Sequence, residues 1–247
     1  MKLTIAGCGD AFGSGGRLNT CFFLETAKAT LLVDCGASAL PSLRAQGIDP
    51  GRVDAIVLSH LHGDHFGGLP FFLLDAQHPG RREKELVIAG PPGTRARIDA
   101  ALEVFFPKSS GTQWRFPWRV EEVVPGIAAD VLGHSLTTAE VIHQSGAPST
   151  TLRLSDGQGV FAYSGDTEWT EALLPIAAEA GLFVCECYGY DGKRVGHMTW
   201  ETLQPRLADL RARRVLLTHM SASMLARLDE VMGEGVMLAA DGLVVEF

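Results

Sequence analysis

Long apolar runs are missing from this 247-residue chain, although hydrophobic residues make up 46 % of it. Nothing approaches the roughly 20 uninterrupted apolar residues of a membrane-spanning helix, so no membrane partner is expected. The apolar share is ample for a core under layers of helix over sheet. No secretory leader is expected either. Ile5-Ala6-Gly7-Cys8 resembles a lipoprotein cleavage box, but only four residues precede it, where a leader needs about 7–15 apolar residues. The segment reads instead as a first strand entering a glycine turn, and the expected compartment is the cytoplasm. A disulfide framework is absent: five cysteines (Cys8, Cys21, Cys35, Cys185, Cys187) are an odd number without framework spacing, which fits a reducing environment. Cys185 and Cys187 stand two apart on an expected strand and face the same way. A zinc or redox pair is one reading; two small buried hydrophobes is the favoured one.

Basic charge is scarce. The chain has 21 basic against 29 acidic residues, a net charge of −8 and five lysines. Such a surface repels polyanions at long range, so a nucleic-acid partner would need a locally basic face. The runs Arg81, Arg82, Lys84 and Arg211, Arg213, Arg214 read as solvated element ends rather than a binding stripe. Repeats, low-complexity tracts and linkers are also absent, so residues 1–247 are expected to form one domain.

What is present is a regular order of elements. Strands are expected over residues 3–7, 21–25, 30–34, 53–59 and 86–89, with helices over 38–46, 69–77 and 94–106. A β-rich middle follows at 119–124, 135–143, 149–155 and 160–164. Helix and strand then alternate: helices at 171–180, 199–213 and 221–232, strands at 182–186, 215–218, 236–239 and 243–247. Pro205 weakens the second of these late helices, because an interior proline removes a hydrogen bond and clashes with the preceding turn. The implied architecture is α/β, an αββα sandwich of two mixed sheets packed face to face with helices outside.

The densest chemistry follows the apolar strand at 53–59. His60-Leu61-His62-Gly63-Asp64-His65 places four candidate metal ligands within six residues and uses three of the eight histidines. A loop leaving a strand end can turn His60 and His62 one way and Asp64 and His65 another, serving two metals about 3.5–4 Å apart. A merely histidine-rich surface loop is the bland alternative; Gly63, Gly67 and Gly68, which permit tight turns, argue against it.

Ser59 to Leu69 resembles the His-x-His-x-Asp-His signature of the metallo-β-lactamase superfamily, and later segments resemble its other motifs in order. These are Val141-Ile142-His143, Tyr163-Ser164-Gly165-Asp166-Thr167, Leu216-Leu217-Thr218-His219-Met220-Ser221 and Ala240-Asp241-Gly242-Leu243. The resemblance covers the whole chain. It implies His60, His62 and His143 as ligands of one metal, Asp64, His65 and His219 as ligands of a second, and Asp166 as the bridge. Two Zn2+ suit imidazole and carboxylate ligands, with Mn2+ or Fe as alternatives. His78 and His134 match no motif and read as surface or loop residues.

Asp166 stands where β-lactamases of this fold commonly carry cysteine, which favours hydrolase and phosphodiesterase branches. The chain is most similar to the tRNA 3′-processing endonucleases (tRNase Z) and their small phosphodiesterase relatives. Phe183 to Tyr188 resembles that group's His-Glu-Ala-Thr segment, placing Glu186 on its glutamate, and Gly196-His197-Met198-Thr199 resembles its His-Ser-Thr. The resemblance implies a Glu186–His197 pair that assists proton transfer near the leaving group. Cys185 and Met198 depart from the pattern. Only 22 residues separate His143 from Asp166, a region where many tRNase Z enzymes carry a long tRNA-gripping arm.

The expected function is therefore hydrolysis of a small phosphodiester or related ester by a water held between two metals, with Asp64 or Asp166 accepting its proton and His197 donating one. A tRNA 3′-processing endoribonuclease is the alternative, and lactonase, thioesterase or iron-dependent redox chemistry stays open beyond it. The expected partner is a small molecule, nucleic acid being less favoured, and a homodimer stays open. Candidate pocket walls are residues 10–19, 105–118 and 188–194. In the second of these, Phe105, Phe106, Trp114, Phe116 and Trp118 read equally well as a lid or as packing.

Overall fold

The computed structural model describes residues 1–233 and 235–247, with Ser110 described by its backbone only. Alternation along the first strands sets which side each residue faces. In β1 (Lys2–Gly7), Leu3 and Ile5 face one core and Ala6 another; in β2 (Cys21–Glu25), Phe22 and Leu24 go with the first, Cys21 and Phe23 with the second. β1, β2 and β3 (Thr30–Val33) pair antiparallel, and β3 continues in parallel into β4 (Ala55–Val57), β5 (Leu86–Gly90) and β6 (Trp118–Glu122). With β14 (Val244–Glu246) on the far edge, the order is β14-β1-β2-β3-β4-β5-β6.

The second sheet runs antiparallel through β7 (Ala129–Val131), β8 (His134–Glu140), β9 (Thr150–Ser155) and β10 (Val160–Tyr163). It then turns parallel through β11 (Leu182–Glu186), β12 (Val215–Thr218) and β13 (Met237–Leu238). Between the sheets lies a core that includes Leu3, Phe22 and Leu31 from one side and Leu154, Phe161 and Val184 from the other. Helices α1 (Ala39–Ala45), α3 (Leu69–Gln77) and α4 (Thr94–Phe105) cover the outer face of the first sheet. Helices α5 (Leu173–Ala177), α6 (Trp200–Leu203) and α7 (Ala222–Leu225) cover that of the second. This is the expected sandwich. Among the described residues, no helix is long and apolar enough to cross a membrane.

Several expectations change. The helix anticipated at 199–213 ends as α-helix at Leu203 and continues as a 3-10 segment, Gln204–Leu210, because Pro205 offers no N–H. The strand anticipated at 135–143 ends at Glu140, leaving His143 in a loop. β7 and the one-turn helix α2 (Gly63–Phe66) were not anticipated. His134 is a buried core residue, not a surface one: its Nε2 lies 2.8 Å from Thr26 Oγ1 and its Nδ1 3.0 Å from the Val131 carbonyl. His78 is exposed, as expected. Arg82 is likewise buried, donating to the Lys84 and Glu85 carbonyls at 2.7 and 2.6 Å, so that basic run is part of the packing. Phe116 is in the core, and Trp114 packs edge-on against both it and Trp118. That stretch is packing, and it stays outside the cavity described below.

Parallel pairing matters most for function. It brings the C-terminal ends of β3 and β4, and those of β10, β11 and β12, to one edge of each sheet. In open α/β sheets such ends are where ligands bind. Asp34 follows β3, His60 follows β4, Asp166 follows β10, Glu186 ends β11 and His219 follows β12.

Candidate metal centre and active site

The histidine run leaves β4 in extended form, so Leu61 turns into the core while His60 and His62 share the opposite side. His62 has φ −75° and ψ 153°, and it enters α2, whose single turn carries Asp64 and His65. Glycine is required where this loop meets its neighbour. A Cβ on Gly36 would lie 2.2 Å from the Asp64 carbonyl oxygen, and one on Gly68 would lie 2.2 Å from that of Gly36. Asp34 and His219 adopt left-handed backbone, φ 57° and 58°, a conformation uncommon outside glycine that concentrates at functional sites.

All seven residues suggested by the sequence as ligands converge. His60, His62 and His143 form one set, and Asp64, His65, Asp166 and His219 a second, with potential ligand atoms within 4.8 Å of one another in each. Asp166 lies between the sets. Its Oδ2 stands 3.2 Å from His65 Nε2, 3.3 Å from His219 Nε2, 3.8 Å from His60 Nε2 and 3.9 Å from His143 Nε2. His143 Nε2 comes within 2.9 Å of His62 Nδ1. His60 Nε2, His65 Nε2 and Asp166 Oδ1 are buried without a hydrogen-bond partner among the described residues. Buried polar atoms are normally paired, and a cation of the class that imidazole and carboxylate bind would satisfy these three.

A proton relay behind the sets fixes which ring nitrogens face inward. Asp34 is fully buried; Oδ1 accepts the Ser59 N–H at 2.7 Å, and Oδ2 accepts both the Ser59 hydroxyl and His65 Nδ1–H at 2.7 Å. With its one proton given to Asp34, the Ser59 hydroxyl accepts from His60 Nδ1 at 3.0 Å. His143 Nδ1 donates to the Gly196 carbonyl at 2.8 Å. In their neutral, ligand-competent forms His60, His65 and His143 therefore each keep their proton on Nδ1 and turn Nε2 toward Asp166. Burial alone would lower the His65 imidazole, but the surrounding carboxylates of Asp166, Asp64 and Asp34 push it above its ordinary range. Asp34 was missed from sequence. The available signal was a carboxylate ending an apolar run, Leu31-Leu32-Val33-Asp34, where a core strand should not carry an unpaired charge.

Glu186 and His197 are also brought together. The buried Glu186 carboxylate accepts His197 Nδ1 at 3.2 and 3.3 Å, Met198 N–H at 3.3 Å, and the Thr167 N–H. Burial pushes the Glu186 carboxyl up to about 7. Burial alone would lower His197, but the hydrogen bond and charge of Glu186, aided by Asp166, push it up to about 9. His197 Nδ1 lies 4.0 Å from Asp166 Oδ2, and its ring packs beside both Tyr188 (4.7 Å) and His219 (5.5 Å), whose own centroids are 6.1 Å apart. Elsewhere in the cluster, burial and then the neighbouring His65 hold the His60 imidazole well below its ordinary range. Burial would raise the Asp64 and Asp166 carboxyls, but His65 and His219 hold both below the usual carboxylate range.

A cavity of about 360 Å³ opens onto this cluster, walled further by Ala11, Phe12 and Tyr188. A larger one, about 600 Å³, is lined by residues of α1 and α3, where Arg44 pairs with Asp75. None of the clustered histidines and carboxylates lines it, so the smaller cavity is the chemically relevant one.

The family model described as "Anti-Pycsar protein Apyc1" matches residues 1–233. The probable metallo-hydrolase YhfI of Bacillus subtilis is 28 % identical over 229 residues, 89 % of this chain and 87 % of that protein. Its crystal structure, described as a metallo-β-lactamase fold protein, superimposes with a TM-score of 0.77 over 100 % of this chain and 99 % of that one. The ribonuclease Z of Bacillus velezensis is 26 % identical over 81 % of this chain and 80 % of its own length. The short form of human tRNase Z superimposes with a TM-score of 0.80 at 25 % identity, covering 100 % of this chain and 99 % of that one.

Proposed function

Because the chain belongs to the family of the anti-Pycsar protein Apyc1 and is a metal-dependent hydrolase of the metallo-β-lactamase fold, we propose that it hydrolyses a small phosphodiester at a dinuclear centre. His60, His62 and His143 would hold one ion, Asp64, His65 and His219 the other, and Asp166 both. Two Zn2+ suit this donor set, with Mn2+ or Fe the alternatives. When bound, such ions lower the pKa of water and neutralise charge growing on phosphoryl oxygens.

The chain's own residues supply the rest. Asp64, on the cavity wall, accepts a proton from the attacking water. His197, protonated and aimed by Glu186 through Nδ1, keeps Nε2 for donation to the departing oxygen. The single observation that carries this reading is the position of the Glu186–His197 pair, 4.0 Å from the carboxylate shared by both ligand sets. An acid placed beside the reacting centre is what an alkoxide leaving group demands, and a phosphodiester has one.

Substrate size separates the two hydrolytic readings. Holding folded tRNA rests largely on phosphate contacts, and this chain has a net charge of −8 and five lysines. The segment between His143 and Asp166 is filled by β9 and β10, leaving no room for a long arm. The test pairs a 4-nitrophenyl phosphodiester assay with cleavage of precursor tRNA bearing a 3′ trailer, at matched concentrations of metal-loaded enzyme. Turnover of the small ester should far exceed that of tRNA. Efficient removal of the trailer with little action on the ester would promote the endoribonuclease.

A further inference from the structure

Phe12 is 82 % exposed, yet its loop is not a loose one. The fully buried Asp10 accepts the Phe12 N–H at 3.2 Å, the Ser14 N–H at 2.9 Å and the Ser14 hydroxyl at 2.7 Å, and its carbonyl takes Asn19 Nδ2 at 3.1 Å. Gly9 N–H closes the base of the loop on the Leu18 carbonyl at 2.6 Å. On the far side, a Cβ on Gly15 would lie 2.8 Å from Leu225 Cδ1, so the loop packs directly onto α7. A lone exposed apolar residue is ordinary. An exposed phenyl ring carried on a backbone anchored by a buried carboxylate, at the wall of the cavity that contains the metal cluster, is a pre-organised place for an apolar contact.

Tyr188 supplies a second aromatic surface in the same cavity. It follows β11, its carbonyl accepts the Ser221 N–H at 2.9 Å, and its ring lies nearly flat on His197, at 27° between planes. The Phe12 backbone and the Tyr188 ring are thus set by groups other than substrate, and both residues line a space sized for a phosphoryl group with one ring attached rather than for a folded polymer.

We infer that Phe12 and Tyr188 form an aromatic clamp that selects phosphodiesters carrying a flat, unsaturated ring on the side of phosphorus away from the leaving group. The inference rests on the phosphodiesterase reading for its substrate but not for its geometry, and it makes the two residues specificity determinants. The reaction itself is unchanged: water adds at phosphorus, the bond to the leaving oxygen breaks, and a monoester remains.

The test uses phenyl 4-nitrophenyl phosphate and cyclohexyl 4-nitrophenyl phosphate, which share a leaving group and differ in the flatness of the other ring. A parallel arm measures calorimetric binding of phenylphosphonate and cyclohexylphosphonate to the same metal-loaded protein. Phe12→Ala should lower kcat/KM and affinity for the phenyl compounds about tenfold, as loss of a stacking surface does, and those for the cyclohexyl compounds less than twofold. Phe12→Tyr should restore the preference, and Phe12→Leu, of similar bulk but without a ring, should not. An unchanged phenyl-to-cyclohexyl ratio in Phe12→Ala, or full recovery in Phe12→Leu, overturns the clamp. Hydrolysis of neither ester alongside Phe12-dependent binding of phenylphosphonate overturns the phosphodiesterase reading and supports the clamp.

Discussion

The Asp34 carboxylate accepts a hydrogen bond from His65 Nδ1 at 2.7 Å, and through Ser59 the same oxygen governs His60. One buried acid therefore sets a ring nitrogen in each ligand set. Asp34→Asn leaves the shape almost intact but reverses the relay. The amide would donate to Ser59 and His65, forcing protons onto both Nε2 atoms, which face the cluster. Metal affinity should fall roughly 10–100-fold, measured by competition with a chromophoric chelator. Unchanged affinity would remove Asp34 from this role.

Asp166 touches both sets, so its loss should be felt at both. Wild-type protein reconstituted with zinc or manganese should hold close to two ions per chain by elemental analysis. Asp166→Ala should bind both more weakly, whereas His62→Ala, altering one set only, should spare one ion. A wild-type chain that stays metal-free after reconstitution would end the dinuclear assignment.

For His197, the expected loss in His197→Ala is roughly 10²–10⁴-fold in rate with metal content unchanged. The loss should shrink when the leaving group is already acidic, as nitrophenolate is, and grow for an alkyl leaving group. Equal losses across a leaving-group series would assign His197 to positioning.

The five thiols are all buried. Burial, with Asp241 nearby, pushes Cys8 up to about 12, and burial likewise raises Cys21, Cys35, Cys185 and Cys187. Thiolate is the reactive form, and a raised pKa leaves less of it at any given pH below that value. The folded protein should therefore react negligibly with Ellman's reagent at pH 8 and release five equivalents on unfolding. Rapid labelling of Cys185 and Cys187 in the folded state would contradict their burial.

Much of this was legible in the chain. The strand segments are recognisable as such, and β2 and β11 begin and end where the sequence predicts them. Helix ends were less legible. The 199–213 segment leaves the α form at Pro205, and the 221–232 segment breaks into the short turns Ala222–Leu225 and Leu228–Glu230. His134 was misjudged because burial of a polar side chain depends on partners that lie elsewhere in the chain, here Thr26, whereas Arg82 is buried by folding back onto the carbonyls of its own neighbours Lys84 and Glu85.

The sequence by itself determined the chemical kinds at the centre. A loop holding His60, His62, Asp64 and His65 after a buried strand is local pattern and needs no coordinates, while His143, Asp166 and His219 were legible through the resemblance of their segments to the superfamily's motifs. Tertiary structure alone decided that Asp34 sets two tautomers through Ser59, and which of the candidate walls, Phe12 and Tyr188 among them, meet the cluster at one cavity. The physical reason is range. Ligand types and strand alternation are written in neighbouring residues, whereas a hydrogen-bond relay and a cavity wall exist only once parallel strands have brought distant segments to a common edge.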